Sequence, residues 1–296
     1  MSEEYTPIRQ QYLDIKKQYP DTILFFRLGD FYETFDQDAE ITSRELDLVL
    51  TSRNVAKGSR VPMAGIPYHA VENYLARLIE KGYHVAICEQ VGEQPKKGLF
   101  DRKVVRVITP GTLIEPGLLK SDSNNYLMAL VVIQDRIGIA YADITTGEFA
   151  ATQISGTHVE NELQAEITRL SPAEILIPDS FEHPFPESLH VTPVPAYTFD
   201  PAKAAEALQE HFKVATLKGF GLSENSLSVR AAGAIIQYLQ KNQPGSLKLL
   251  TGISSYTTEE FMVLDASTRR NLELTESLRT NEIKGSLLDV LDSTVT

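Results

Sequence analysis

The sequence predicts an α/β protein with a mixed-sheet domain, a second α/β domain and a short helical segment. Three observations on its 296 residues support this prediction. Apolar runs of strand length alternate with stretches whose apolar residues recur every three or four positions, as on one face of a helix. Pro and Gly near residues 110–117, followed by Ser and Asn at 121–125, indicate a linker. The segment after residue 252 is too short to form a core unaided.

The first predicted domain covers residues 1–113 and mixes helices with strands. An apolar run that begins at Ile23 is typical of a buried strand, and Gly82 is typical of a residue that ends a helix. The predicted elements are a helix over 7–19, a strand over 23–26, a turn at 28–30, a strand over 31–35, helices over 38–50 and 69–81, and strands near 83–90 and 104–108. We expect these strands to form one mixed sheet.

A linker is predicted over 114–125, a second domain over 126–250, and an incomplete helical segment over 251–296. Thr157 and Glu160 have capping-box spacing, and Asp200 followed by Pro201 is typical of a helix start. The predicted elements are strands over 126–133, 138–143 and 148–154, a helix up to residue 170, a strand over 174–177, and helices from Asp200 and over 223–242. This order of elements, three strands followed by a helix, a strand and a helix, is that of a ribonuclease H-like fold.

The composition, 42% hydrophobic and 23% charged, is that of an ordinary soluble globular protein. The single cysteine, Cys88, lies in an apolar strand pattern, so we expect neither a disulfide framework nor a thiolate metal cluster. No signal-peptide pattern begins the chain, and no apolar run has the length that crosses a bilayer. We therefore expect a cytoplasmic protein with no membrane partner.

The net charge of −12 is unevenly distributed along the chain. Residues 1–115 contain 15 Lys and Arg against 17 Asp and Glu, whereas the remainder contains 13 against 23. A nearly neutral domain with local basic clusters can contact phosphates, but the electrostatic part of its affinity for a polyanion is expected to be weak.

The run Gly-Asp-Phe-Tyr-Glu at residues 29–33 is the most informative motif. Phe31 and Glu33 are two positions apart on a predicted strand, so both side chains lie on one face of the sheet and can contact the same target. A phenylalanine at a strand edge is often part of the core. The motif alone therefore leaves a packing role and a binding role open.

Further runs accompany this motif in a fixed order. They are Val-Pro-Met-Ala-Gly-Ile-Pro-Tyr-His at 61–69, Val-Ala-Ile-Cys-Glu-Gln at 85–90, Arg-Lys-Val-Val-Arg at 102–106, Phe-Met-Val-Leu-Asp at 261–265 and Thr-Arg-Arg-Asn-Leu-Glu at 268–273. With these runs the chain resembles the N-terminal part of the MutS family of bacterial DNA mismatch-recognition proteins. The resemblance covers essentially the whole chain.

This resemblance implies a mismatch-recognition domain over 1–113, a connector domain over 126–250 and the start of a helical lever domain over 251–296. It also implies mispaired or unpaired bases in duplex DNA as the ligand. Family members are longer and carry a C-terminal ATPase, but this sequence contains no Gly-x-x-x-x-Gly-Lys-Ser/Thr motif. We therefore expect no cofactor in this chain, and ATP, Mg²⁺, homodimerisation and a MutL-type partner of the connector domain in a full-length parent.

The resemblance implies that Phe31 stacks as a wedge on the mispaired base and that Glu33 hydrogen-bonds to it. Inserting a ring beside a poorly stacked base costs less than at a sound pair. A carboxylate that DNA repels at ordinary sites improves discrimination rather than affinity. The other expected DNA contacts are Arg53, Met63, Arg102 and Lys103, and possible further contacts are Arg60, Pro62 and His69.

Two alternatives stay open. The ribonuclease H-like order is compatible with a metal-dependent nuclease, in which carboxylates such as Asp143 and Glu148 hold paired metal ions. However, the Thr-Thr-Gly turn at 145–147 explains both as hairpin residues, and the sequence offers no convincing third and fourth carboxylates. The second alternative is a fragment that docks partners through its acidic second half without DNA affinity of its own.

Overall fold

The computed structural model describes most of the chain and shows two mixed sheets with helices, which confirms the predicted fold class. The described residues are 5–56, 59–96, 99–115, 117–119, 123–182, 185–258, 264 and 266–292. Several predicted features lie outside the described residues, namely linker positions 116 and 120–122, motif positions 261–263 and 265, and positions 293–296 of the last segment. The domain boundaries stay predictions.

The first sheet contains six strands, two more than predicted. They are β1 (Ile23–Leu28), β2 (Phe31–Phe35), β3 (Thr51–Ala56), β4 (Ser59–Pro67), β5 (Val85–Lys96) and β6 (Leu99–Ile108). Their order is β3-β4-β2-β1-β5-β6, and β1 runs antiparallel to β2 but parallel to β5. β3 and β4 escape the sequence pattern because β3 is mostly polar and exposed and β4 contains Pro62 and Gly65.

Three helices accompany this sheet, namely α1 (Pro7–Lys16), α2 (Asp36–Leu46) and α3 (Val71–Ile79). On one face, Tyr12 of α1 packs in a cluster with Phe26, and on the other, Leu75 of α3 packs in a cluster with Phe25. Since neighbouring strand residues alternate between faces, β1 fills both halves of the core. The predicted end of the second helix at residue 50 is wrong, because Asp47 adopts a left-handed conformation that ends α2 at Leu46.

The second sheet confirms the predicted order of its main elements and adds two short strands. Its strands are β7 (Leu127–Ile133), β8 (Arg136–Asp143), β9 (Glu148–Ser155), β10 (Glu174–Pro178), β11 (Val191–Val194) and β12 (Ser254–Ser255). Their order is β11-β10-β7-β8-β9-β12. β7, β8 and β9 are antiparallel, whereas β10 is parallel to both β7 and β11. β11 and β12 are too short for a sequence pattern to reveal.

The helices α4 (Val159–Leu170), α5 (Pro201–Phe212) and α6 (Leu227–Asn242) cover the second sheet. Leu163 of α4 belongs to the core cluster on one face, whereas α6 belongs to the cluster on the other face together with α5. The capping-box prediction is wrong, since α4 begins after His158, which makes no side-chain cap. Asp200 does cap α5, as predicted, by accepting hydrogen bonds from two backbone N–H groups.

Two short helices, α7 (Ala266–Asn271) and α8 (Leu287–Leu291), follow in the last segment. In the described part of the chain, no helix has both the length and the apolar character that a membrane span requires. Below, the first unit means β1–β6, α1–α3 and the turn after β6, and the second unit means β7–β12 with α4–α6.

The close crossing of α5 and α6 generates a stability prediction. A Cβ added to Gly233 of α6 would lie 2.4 Å from the Cβ of Ala204 in α5. Overpacking of this kind costs about 1–3 kcal/mol, more than the roughly 1 kcal/mol that alanine gains in helix propensity. We therefore expect Gly233→Ala to lower the free energy of unfolding, measured by urea denaturation. Gly219→Ala, at a site with open space, is the control, and equal stability of both variants would contradict the packing argument.

Candidate nucleic-acid interface

The turn between β1 and β2 presents an aromatic side chain to solvent. Gly29 in this turn has a φ of +58°, a conformation that favours glycine. Phe31, the first residue of β2, pairs with Leu28 on one side and with Pro67 on the other. Its side chain is 47% exposed although it lies within a sheet. The plain core role that the sequence left open is therefore not supported.

Glu33 lies on the same face as Phe31 and forms an ion pair with Arg53. The Nη1 atom of Arg53 in β3 donates to Oε2 of Glu33, whose side chain is only 14% exposed. β4 separates these two strands, and its Gly65 stands directly opposite Glu33. A Cβ at Gly65 would lie 3.7 Å from the Phe31 ring. That distance is an ordinary van der Waals contact, so Gly65 lies directly beside the ring on the face that also carries the ion pair.

Arg102 lies on this face too, but its guanidinium is engaged within the protein. Its Nε donates to the carbonyl of Arg27 at 2.7 Å, and its Nη1 donates to the side chain of Gln11 at 2.9 Å. The guanidinium carbon lies 5.0 Å from the centre of the Phe26 ring. Burial lowers the pKa of Arg102. The charge of Arg53 lowers this pKa further, whereas the charge of Glu33 raises it. Its predicted DNA contact therefore competes with internal hydrogen bonds.

The predicted site residues divide between the two faces of the first sheet. Met63 shares the face of Phe31, since it pairs with Phe35 and packs against the α1 cluster. Lys103 pairs with Glu89, which accepts a hydrogen bond from Tyr32 and so marks the opposite face. Strand alternation places Arg60 and Pro62 on that opposite face as well. The structure thus brings together Phe31, Glu33, Arg53, Met63 and Arg102, and it separates them from Lys103, Arg60 and Pro62.

A stack of side chains beside the turn escaped the sequence analysis. His69 is exposed in a short 3₁₀ turn, and its ring meets the Tyr68 ring at 5.9 Å between centres. The guanidinium carbon of Arg27 lies 3.9 Å from the centre of the Tyr68 ring. The backbone N–H of Tyr68 donates to the backbone carbonyl of Asp30 at 2.9 Å, which connects these side chains to the turn. The pairing of β2 with β4, which sets Pro67 opposite Phe31, brings Tyr68 to the turn, and the sequence pattern did not reveal β4.

Tyr32 anchors β2 from the opposite face. Its side chain is buried, and burial, followed by the hydrogen bond to Glu89, raises the pKa of Tyr32 to about 12. Since side chains alternate along a strand, a buried Tyr32 requires that its two neighbours, Phe31 and Glu33, face the other way.

The carboxylates of the nuclease alternative have structural partners. Oδ1 of the buried Asp143 accepts hydrogen bonds from the backbone N–H and hydroxyl of Thr145 at 2.8 and 2.6 Å, and Oδ2 accepts one from Asn125 at 3.1 Å. Glu148 accepts hydrogen bonds from the hydroxyls of Tyr126 and Tyr141. Among the residues that the structure describes, no group of three or more potential metal ligands is found.

Comparison with known proteins gives a consistent result. A family model described as MutS domain I matches residues 6–116, and one described as MutS domain II matches residues 125–251. Curated relatives named DNA mismatch repair protein MutS also match, and three of them are described here. The protein of Dehalococcoides mccartyi (strain CBDB1) is 50% identical over 297 residues, which cover 99% of this chain and 34% of the relative. The protein of Symbiobacterium thermophilum is 50% identical over 98% of this chain and 34% of its own length. The protein of Halothermothrix orenii is 47% identical over 98% of this chain and 33% of its own length.

The exposure of Phe31 generates a stability prediction with a built-in comparison. Phe35 on the same strand is 2% exposed and contacts the Tyr12 ring at 4.9 Å. We expect Phe35→Ala to lower the free energy of unfolding by about 3–5 kcal/mol, whereas Phe31→Ala lowers it by only about 1 kcal/mol because roughly half of Phe31 is already exposed. Urea denaturation followed by circular dichroism measures both. Equal losses would show that Phe31 is a core residue after all.

Proposed function

The chain belongs to the MutS family of DNA mismatch repair proteins, and on this premise we propose that its first unit binds mispaired or unpaired bases in duplex DNA. The observation that carries the proposal is the exposed ring of Phe31 beside a carboxylate held by Arg53. A solvent-exposed phenylalanine gains from a partner that removes it from water, and a destacked base offers an aromatic face of suitable size.

The chain spans about a third of the length of the curated relatives that it matches. The activity of a whole protein is therefore also a proposal. We propose that ATP and Mg²⁺ act on a part of a full-length parent that is not in this chain, that the parent forms a homodimer, and that a MutL-type protein contacts the second unit.

In the proposed mechanism, Phe31 enters the minor groove and stacks on the mispaired base. Parting a base step costs a few kcal/mol, and less where the pair is already poorly stacked. Kinking the duplex is likewise easier at such a step. The ring therefore senses how readily a pair can be opened rather than which bases it contains.

Glu33 supplies the second criterion. Arg53 contacts Oε2, and no donor among the described residues contacts Oε1. A carboxylate accepts hydrogen bonds on both oxygens, so Oε1 is available to a base N–H group while Arg53 holds the side chain. The Arg53 charge also offsets part of the repulsion between the carboxylate and DNA phosphates. A displaced base that presents a donor completes the arrangement, whereas a sound pair does not.

Electrostatic attraction contributes little to this mode of binding. The first unit is nearly neutral, and Arg102 is occupied by internal hydrogen bonds. We propose phosphate contacts for Arg53 and Arg102 and a sugar or minor-groove contact for Met63. Lys103, Arg60, Pro62 and His69 contribute only where bent DNA reaches past the Phe31 face. The isolated chain is therefore expected to bind mismatched DNA weakly at physiological salt.

Replacement of the wedge tests the proposal directly. The suitable protein is the full-length Dehalococcoides mccartyi relative with its matching third replaced by this chain. Base–aromatic stacking contributes about 1–3 kcal/mol per base, so Phe31→Ala should weaken binding to a G·T duplex by about 5- to 150-fold and abolish the preference over homoduplex. Fluorescence anisotropy at fixed salt measures this preference. Tyr197→Ala, which removes an exposed ring from the second unit, is the control, and unchanged discrimination by Phe31→Ala would exclude the wedge.

A second prediction concerns the charge of Glu33. Glu33→Gln keeps the side-chain shape and an acceptor but removes the charge that DNA repels, so affinity for homoduplex should rise. Relief of one charge repulsion is worth about 1 kcal/mol, or about fivefold, and the gain should shrink as salt screens the charge. Titrating homoduplex and G·T duplex at two salt concentrations separates the effects. Equal gains for both duplexes would mean that Glu33 acts only as a bulk charge, without the proposed contact to the base.

A further inference from the structure

Glu174 lies where the two units meet and is completely buried. It is the first residue of β10, in the interior of the second sheet. A buried carboxylate is costly unless hydrogen bonds or charges compensate for the lost water. At this site the compensation comes from both units.

Each carboxylate oxygen of Glu174 accepts hydrogen bonds from a different unit. Oε2 accepts from the backbone N–H of Gly111, at 2.9 Å, and from the Thr109 hydroxyl, both in the turn after β6. Oε1 accepts from the hydroxyls of Thr192 and Tyr238, both at 2.7 Å, in the second unit. The only Lys, Arg or His side chain within 4 Å among the described residues is His84 of the first unit, whose Nε2 lies 3.7 Å from Oε1. Burial and the Glu174 charge raise the pKa of Tyr238, which keeps its hydroxyl a donor.

The turn of the first unit is shaped to meet this carboxylate. Thr109 and Thr112 form a reciprocal capping box that fixes the backbone of the turn. A Cβ added to Gly111 would lie 2.8 Å from the Leu127 side chain and 2.9 Å from the Glu174 Cβ, so only a glycine permits this approach. The Asn125 side chain also donates to the carbonyl of Pro110 at 2.9 Å.

The units are not packed together over their whole boundary. A cleft of about 1280 Å³ lies between them and reaches Lys16 and Tyr83 on one side and Thr192 and Lys241 on the other. Apolar packing therefore covers only part of the boundary between the units. Directional hydrogen bonds to a buried acceptor restrict the angle between the units, because they weaken steeply when their geometry changes.

We propose that Glu174 is a positioning residue that fixes the first unit in one orientation relative to the second. One oxygen serves each unit, so loss of the acceptor releases the turn of the first unit while each sheet keeps its own core. This inference does not rest on DNA binding, and its test contains no DNA.

The test measures the distance between the units in the whole chain. Spin labels are attached through Glu40→Cys in the first unit and Glu210→Cys in the second, both exposed positions. Burial raises the pKa of the native Cys88 thiol to about 12, so labelling is selective for the new sites. We expect one narrow distribution of distances between the labels when Glu174 is present. We expect that distribution to be lost in Glu174→Leu, which has no acceptor.

Two control variants, each at a buried carboxylate with defined hydrogen-bond partners, distinguish a positioning role from a general loss of stability. Glu174→Gln keeps an acceptor for the Gly111 N–H and turns its amide towards hydroxyls that can accept, so it should retain the narrow distribution. Glu166→Leu removes a buried carboxylate whose partners, Arg169 and Tyr256, both lie in or beside the second unit, and it should also retain it. A narrow, unshifted distribution in a folded Glu174→Leu protein would overturn the proposal.

Should circular dichroism show that Glu174→Leu is unfolded, Thr109→Val decides the question. This variant keeps Glu174 and removes the Thr109 hydroxyl, which both donates to Glu174 and forms half of the capping box of the turn. We expect a broadened or displaced distance distribution, and an unchanged one would overturn the proposal. Thr34→Val is the matched control, because the Thr34 hydroxyl donates to the backbone carbonyl of Ala64 inside the first unit. It should leave the distance distribution unchanged.

Discussion

The candidate site depends on the register of β2 between β1 and β4. This register sets Phe31 opposite Pro67 and Glu33 opposite Gly65. A slip by one residue would turn every side chain of β2 to the other face of the sheet. Tyr32 resists such a slip, because it is buried and hydrogen-bonded to Glu89. The exposure of Phe31 therefore follows from the burial of its neighbour and not from a flexible surface loop.

Two carboxylates illustrate how environment assigns different tasks to the same group. Glu33 has one cationic partner and an oxygen without a donor among the described residues, so it can accept a further hydrogen bond. Glu174 is completely buried, and neutral donors from both units occupy its two oxygens. The first arrangement suits recognition of a ligand that brings its own donor, and the second suits a fixed joint. In the proposed function, the hydrogen bonds of Glu174 determine how the face that carries Phe31 is oriented relative to the rest of the protein.

The sequence predicted what local patterns encode. It predicted the fold class, the hairpin that carries Phe31, and the strand and helix order of the second unit, because apolar periodicity and turn residues indicate these features directly. It missed β3 and β4, since a mostly polar strand and one with Pro62 and Gly65 lack that periodicity. Contacts between distant segments could not be predicted either, such as the ion pair of Arg53 with Glu33 and the hydrogen bond from Arg102 to the backbone carbonyl of Arg27. Which face a basic residue occupies depends on strand register, and for that reason Lys103 and Phe31 were grouped although they lie on opposite faces.

In the proposed function, the Phe31 side chain contacts the mispaired base itself. The most direct measurement places the photoreactive p-benzoylphenylalanine at position 31 of a full-length MutS protein carrying this chain, irradiates it on a duplex with one G·T mispair, and maps the cross-linked nucleotide. We expect cross-links concentrated at the mispaired base and its neighbouring step, and few on homoduplex. Cross-links spread evenly along both duplexes, or none above those obtained with the same group at position 197, would contradict this contact.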